Sequence, residues 1–201
     1  ANFAGRITRA GAVNSLAQLV TKLTAPGLPD IYQGTDYWDL SLVDPDNRSP
    51  VDFAARQQSL EANLRAAEAI KTVADGRIKQ LIMARVLAVR KRIPDLFSKG
   101  SYLPLKTAGP QAGHVVAFAR ILHKTAAIVV FCRLAAHLLA NDAALLIPPS
   151  KWQGTRLLIP PQLRVTFADA LEPERSLSFE HEMSIEQILG RLPAAFLTNC
   201  S

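Results

Sequence analysis

The chain has 201 residues, 49% of them hydrophobic and 20% charged, an ordinary globular balance that shows no sign of disorder and allows a sizeable buried core. Its net charge is +6, so nucleic acid and anionic surfaces stay open as partners until the placement of the charge is read. The longest apolar runs, such as Ala126 to Cys132, are too short to span a bilayer, and no basic-then-apolar signal segment opens the chain.

The first residues, Ala1-Asn2-Phe3, lack an initiator Met and run straight into a helical pattern, a hint of a piece of something longer. Val13, Leu16, Ala17, Val20 and Leu23 recur at helical spacing and stop at the breaker pair Pro26-Gly27. A short strand centred on Ile31 and Tyr32 is predicted next, ended by Gly34; helix, turn and buried strand together read as an α/β unit. Gly34 to Phe53 has no period and reads as a long loop. Leu60, Leu64, Ala67 and Ile70 predict one helix ending near Asp75-Gly76, and Ile78, Ile82, Val86, Val89 and Ile93 a second that Pro94 stops.

Beyond Tyr102 the texture becomes strand-like. Strands are predicted over His114–Arg120, Ala126–Arg133, Arg156–Ile159, Arg164–Phe167 and Ala194–Leu197. Ser184 to Gly190 reads as a helical turn with Ser184 and Gln187 spaced as a capping box. A domain boundary is expected near Lys99-Gly100. Cys132 and Cys200 lie far apart with no redox or metal motif around them, and read as reduced thiols of a cytoplasmic protein.

The loop is where chemistry concentrates. Between Asp30 and Asp52 stand Asp30, Asp36, Asp39, Asp44, Asp46 and Asp52 against a single basic residue, Arg48, inside a basic chain. With Tyr32, Tyr37 and Trp38 beside them they suit a sugar: carboxylates accept hydroxyl protons, and aromatic faces cover the apolar side of a pyranose. Any one of these aspartates alone is as well explained by turns and helix caps. The basic stretch Arg77, Lys79, Arg85, Arg90, Lys91, Arg92 and Lys99 alternates with apolar helix positions and has no base-stacking aromatic from Arg77 to Arg92. It reads as a solvated helix face rather than a phosphate-binding one. His114, His123, His137 and His181 have no metal-ligand spacing, and no nucleophile motif or phosphate loop occurs, so no metal and no cofactor is expected.

The run Thr24-Ala25-Pro26-Gly27-Leu28-Pro29-Asp30-Ile31-Tyr32-Gln33-Gly34-Thr35-Asp36 resembles the eighth-strand segment of the alpha-amylase clan. Its continuation through Tyr37-Trp38-Asp39-Leu40-Ser41-Leu42-Val43-Asp44-Pro45-Asp46-Asn47-Arg48-Ser49-Pro50-Val51-Asp52 resembles the maltooligosyl trehalose synthase version of it. Arg90 to Phe97, His114 to Arg120 and Trp152 to Leu157 resemble later parts of that family more loosely. Asp36 stands where the family more often has Glu, and Ser49 where a second Arg is common.

The resemblance implies an α/β plus all-β chain: the last part of a (β/α)8 barrel over residues 1–99, then a β-sandwich-like domain over 100–201. Barrel sites lie at the C-terminal ends of the strands, so the acidic loop would form part of the rim. The activity implied for the parent enzyme is the conversion of a reducing-end α-1,4 glucosidic bond of a maltooligosaccharide into an α,α-1,1 bond, with retention. Its catalytic carboxylates would lie on earlier strands, so no catalytic residue is assigned here and the chain alone is expected to be inactive. Tyr32, Asp36, Trp38, Asp44, Asn47 and Arg48 become candidates for substrate contact, with a loop-pinning role as the alternative for the last three. Edges and faces of a quarter barrel would be exposed unless they pack differently or against another copy. Two other readings stay open: another hydrolase or glucanotransferase of the clan, and a glycan- or nucleic-acid-binding module. Neither a membrane nor a nucleic-acid partner is expected.

Overall fold

The computed structural model describes residues 3–41, 50–139 and 145–200. Helix α1 (Phe3–Thr24) buries Val13, Leu16, Leu19, Val20 and Leu23 along one stripe. It ends where Pro26 cannot continue it, and two arginines take its last carbonyls. Arg90 donates to Leu23 O at 2.7 Å and Arg120 to Thr24 O at 3.2 Å, satisfying groups that a helix end leaves unpaired.

The single helix predicted to end near Asp75 is three pieces. These are α2 (Phe53–Glu61), α3 (Ala66–Ala69) and a 3₁₀ turn (Ile70–Asp75). Asp52 caps α2 through Ala55 N at 2.9 Å, and Asn63, at φ 45°, breaks the chain between the first two. Leu60 and Ala67 keep helical spacing yet lie exposed, while Ala66, Ala69 and Ile70 turn inward; the apparent period belonged to two helices. Helix α4 (Arg77–Arg92) packs along α1 and ends at Ile93. Pro94 then occupies the first turn of a further short helix, α5 (Pro94–Ser98), where a missing N–H costs nothing.

From Ser101 the chain is mostly strand. One antiparallel sheet runs β1-β3-β4-β9-β6-β7, built from β1 (Ser101–Pro104), β3 (Val115–Leu122), β4 (Thr125–Cys132), β6 (Thr166–Asp169), β7 (Ser176–Ser178) and β9 (Ala194–Thr198). A second joins β2 (Thr107–Ala108), β5 (Arg156–Leu158) and β8 (Glu182–Ser184), also antiparallel. Seven of the eight residues of β4 are buried, as a continuous apolar run requires when both faces are covered. Helix α1 packs on β4 and β9, and α6 (Ile185–Leu189), capped by Ser184 through Gln187 N at 3.2 Å, also packs on these two strands.

One hydrophobic core runs from α1 and α4 into the large sheet, with Phe97 of α5 meeting Phe196 of β9 at 6.3 Å between ring centroids. Arg120 on β3 crosses this seam only 1% exposed, donating also to Phe97 O at 2.9 Å and Gly100 O at 2.7 Å. At the other end of the sheet Arg175 joins Asp169 at 2.9 Å and Ile188 O at 3.1 Å, tying the β6–β7 hairpin to α6. Burial pushes the Asp169 carboxyl up to about 6, against the pull of the Leu171 N–H and Arg175. Cys132 and Cys200 are both free; Cys132 closes β4 while Cys200 sits beside Thr125 at the strand's other end.

Two expectations for the front change. Among the described residues no strand precedes Ser101, so the front is helical rather than α/β. Ile31 and Tyr32 form no strand; Thr35 donates from N at 3.1 Å and from Oγ1 at 2.7 Å to Tyr32 O, making a turn. A strand needs a ladder partner, and among the described residues no strand lies beside it.

Candidate functional site

The turn at Tyr32 to Thr35 borders a cleft of about 330 Å³ between α1, α4 and the loop, walled by Ser15, Gln18, Lys22, Asp30, Tyr32 and Lys79 among others. Helix α1 supplies Ser15, Gln18 and Lys22 from one face, three and four residues apart, and the first turns of α4 supply Lys79. Tyr32 is 48% exposed, so its ring is open to a ligand. Hydroxyl and amide groups, one carboxylate, two ammonium groups and an aromatic face make a polar cleft fit for a polyhydroxylated molecule. Among the described residues Asp30 is the only carboxylate on its wall, so they hold no acid–nucleophile pair there.

Asp36 and Trp38 lie behind this cleft. One Asp36 oxygen accepts from Arg56 Nε at 2.9 Å and the other from Gln80 Nε2 at 2.8 Å. The Trp38 indole N–H donates to Val73 O, and its ring packs on the core with the Lys79 ammonium 5.8 Å from the ring centroid. Lys79 donates to Tyr37 O at 2.9 Å. Burial lowers the Lys79 pKa and Lys22 adds to the effect, while Asp39 and Asp36 pull the other way. The loop lies close on the start of α4 because residue 76 has no side chain. A Cβ on Gly76 would stand 2.8 Å from Trp38 N and 3.1 Å from Tyr37 Cβ, at a φ of +77°.

Two further aspartates serve locally. Asp39 accepts from Ser41 N at 2.9 Å and from the Ser41 hydroxyl, bonds that hold its pKa low, and Asp52 caps α2. Asp44, Asn47 and Arg48 lie outside the described residues, as does Asp46. Among the described residues no group of three His, Cys, Asp or Glu could hold a metal, and no helix is long and apolar enough to cross a membrane.

The basic stretch is not wholly a solvated face. Arg85 donates to Leu171 O and to Leu64 O, Arg90 to Leu23 O with its guanidinium 4.7 Å from the Phe97 ring centroid, and Lys79 to Tyr37 O. Lys91 and Arg92 are exposed as expected. Sequence reasoning passed over Ser15, Gln18, Lys22, Arg56 and Gln80 as site residues. The only signal for Arg56 was the acidity of the loop that precedes it, which needs a counter-charge nearby.

Comparison with known proteins follows the same line. Over 107 residues, 53% of this chain, it is 43% identical to a protein named maltooligosyl trehalose synthase in Mycobacterium tuberculosis strain H37Rv, of which it covers 12%; the protein of strain CDC 1551 gives the same figures. The solved maltooligosyltrehalose synthase from Arthrobacter ramosus superposes with a TM-score of 0.75 and 34% identity, over 94% of this chain and 22% of its own. A further crystal structure of a maltooligosyl trehalose synthase gives 0.66 and 26%, over 98% of this chain and 23% of that one. No family model matches the chain. The resemblance to maltooligosyl trehalose synthases is therefore shown, and the chain spans about a fifth of the length of these solved relatives.

Proposed function

We propose that this chain is the C-terminal part of a cytoplasmic maltooligosyl trehalose synthase and supplies one wall of its sugar site. The observation that supports this most is the superposition on the Arthrobacter ramosus enzyme over 94% of the chain. On this reading residues 1–99 finish a (β/α)8 barrel, and residues 100–201 are a β-sandwich-like domain that supports it. The cleft beside Tyr32 then belongs to the rim, and Tyr32, Asp36, Trp38, Asp44, Asn47 and Arg48 are the proposed substrate-binding residues. Tyr32 offers its ring directly; Asp36 and Trp38 act from behind, through the loop they hold.

The proposed reaction is a rearrangement with no net gain or loss of atoms. A carboxylate nucleophile outside this chain attacks the anomeric carbon of the penultimate glucose and breaks its bond to O4 of the reducing-end glucose. That oxygen takes a proton from a carboxylic acid, also outside this chain, and the glycosyl-enzyme intermediate secures retention. The freed glucose turns, and its 1-hydroxyl attacks the same anomeric carbon while giving its proton back to the acid/base carboxylate, which restores both carboxyl groups. Water competes at this step, and a hydrolysed product would carry one water more. Walls that hold the glucose and exclude solvent decide between the two outcomes.

Incubation of the full-length enzyme with maltopentaose tests the reading. Loss of reducing ends at constant chain length is the expected result; shorter reducing sugars would assign a hydrolase instead. The isolated chain should give neither product, and a trehalose-ended product from it alone would contradict the proposal.

A further inference from the structure

We propose that Arg56 is a positioning residue for substrate, acting through the turn that carries Tyr32; this rests on the reading of the chain as part of a maltooligosyl trehalose synthase. Its guanidinium serves four places at once. Nε donates to Asp36 Oδ1 at 2.9 Å, Nη2 to Gly34 O at 3.0 Å and Nη1 to Asp52 O at 3.0 Å, while the central carbon stands 4.6 Å from the Tyr37 ring centroid. Gly34 opens the loop and Asp52 closes it, so one side chain fastens both ends. The two ends also touch: a Cβ on Gly34 would stand 2.9 Å from Val51 Cγ2.

Gly34 O belongs to the turn closed by Thr35 on Tyr32 O, so whatever moves the guanidinium moves the Tyr32 ring in the cleft. Gln80, only 4% exposed, completes the clamp by donating to Asp36 at 2.8 Å and to Arg56 O at 3.2 Å. The fork shape matters. A lysine at position 56 keeps the charge but gathers its donors on one nitrogen, which cannot span acceptors set as far apart as those the planar fork reaches. Both Asp36 oxygens are already engaged by Arg56 and Gln80, so the pair is aimed at the loop's own backbone.

The freed glucose must turn inside this wall, and a misplacement of about 1 Å can cost up to about 100-fold in rate. The experiment is Arg56→Lys and Asp36→Asn in the full-length enzyme on maltopentaose, with kcat, KM, Tm and the ratio of isomerised product to free glucose measured together. Arg56→Lys should lower that ratio by roughly tenfold and raise KM, with Asp36→Asn moving both the same way by less. A merely structural role would shift Tm and scale all products alike. An unchanged ratio and KM in both variants overturns the proposal. So does a large loss in Asp36→Asn with none in Arg56→Lys, which would make Asp36 the direct contact. If the unaltered enzyme does not isomerise maltopentaose, the parent reading falls first and takes this one with it.

Discussion

The helical front and the stranded back of this chain spend their side chains differently. The back buries Phe118, Phe167, Phe196 and Trp152 within 1% exposure, the three phenylalanines in an antiparallel sheet that supplies its own backbone hydrogen bonds. The front buries aliphatic residues, Leu16, Leu23, Ile78 and Ile82, and leaves Phe3, Leu28, Leu40 and Phe53 outside. Its loop is held by long polar side chains that reach backbone carbonyls: Arg56 to Gly34 and Asp52, Lys79 to Tyr37. The back is thus held by its own ladder, whereas the front is tied to the back and leaves large apolar side chains exposed.

The sharpest way to break this contrast is to empty the back's core. Phe196→Ala on the central strand β9 should cost about 3–5 kcal/mol, by removing a buried ring that also meets Phe97 of α5. Urea unfolding should show one transition moving for both regions, because one core runs through them. Next in size is the seam. Arg120→Met leaves the Thr24, Phe97 and Gly100 carbonyls without their donor and should cost about 3 kcal/mol. Amide exchange should accelerate at the C-terminal end of α1 more than in β4. Equal acceleration in both would mean that Arg120 is no seam.

The two regions should also answer pH in opposite senses. Burial raises the Asp169 carboxyl to about 6 in the folded back, so the stability of its neutral form is present below the ordinary value of 3.8 and is lost as pH rises through about 6. That swing is at most about 3 kcal/mol. In the front, the Asp75 carboxyl is pushed up by burial but ends lower than usual, because hydrogen bonds from Arg77 and Thr72 outweigh it. Asp39 is held low by Ser41. Their stabilisation is present above the ordinary value and fades as pH falls. Comparing the chain with Asp169→Asn between pH 4 and 7 isolates the back's share; parallel curves would remove Asp169 from the account.

A smaller effect is expected at Gly76→Ala, about 1–2 kcal/mol, from the left-handed φ and the 2.8 Å approach to Trp38 N. Only the front should notice. Trp38 and Trp152 are the two indoles of the chain, and Trp152 is 1% exposed, so a red-shifted emission from the more open Trp38 would report a displaced loop. Unchanged emission would show that the loop does not depend on that close contact.

These regions also differed in how much could be read from residues alone. Helices α1 and α4, strands β3, β4 and β9 and the Ser184 cap were legible, because local period and capping spacing determine them. Strands β1, β2, β7 and β8 are two to four residues long with mostly exposed side chains, and only pairing across the chain makes them strands. The acidic aromatic loop stood out by composition, and Tyr32 does border a cleft. The other walls, Ser15, Gln18, Lys22 and Lys79, come from helices brought together by packing. Basic helix positions were read as solvated because their acceptors lie far off in sequence. Lys79 reaches back 42 residues to Tyr37, Arg90 reaches back 67 to Leu23, and Arg85 reaches forward 86 to Leu171.

The smallest effect is the most telling about the front. Leu40 is 90% exposed and Phe53 62%, so the double change Leu40→Ser with Phe53→Ser should alter the stability of the isolated chain by no more than about 0.5 kcal/mol. It should also raise the concentration at which that chain stays monodisperse in light scattering, because exposed apolar surface drives self-association. On the proposed reading, the same pair should cost more in the full-length enzyme than in the isolated chain if a neighbour covers these side chains there. Equal, negligible costs in both settings would mean that the surface is solvent-facing by design and that the front needs no partner. A loss above about 2 kcal/mol in the isolated chain would mean instead that Leu40 and Phe53 are packed within it.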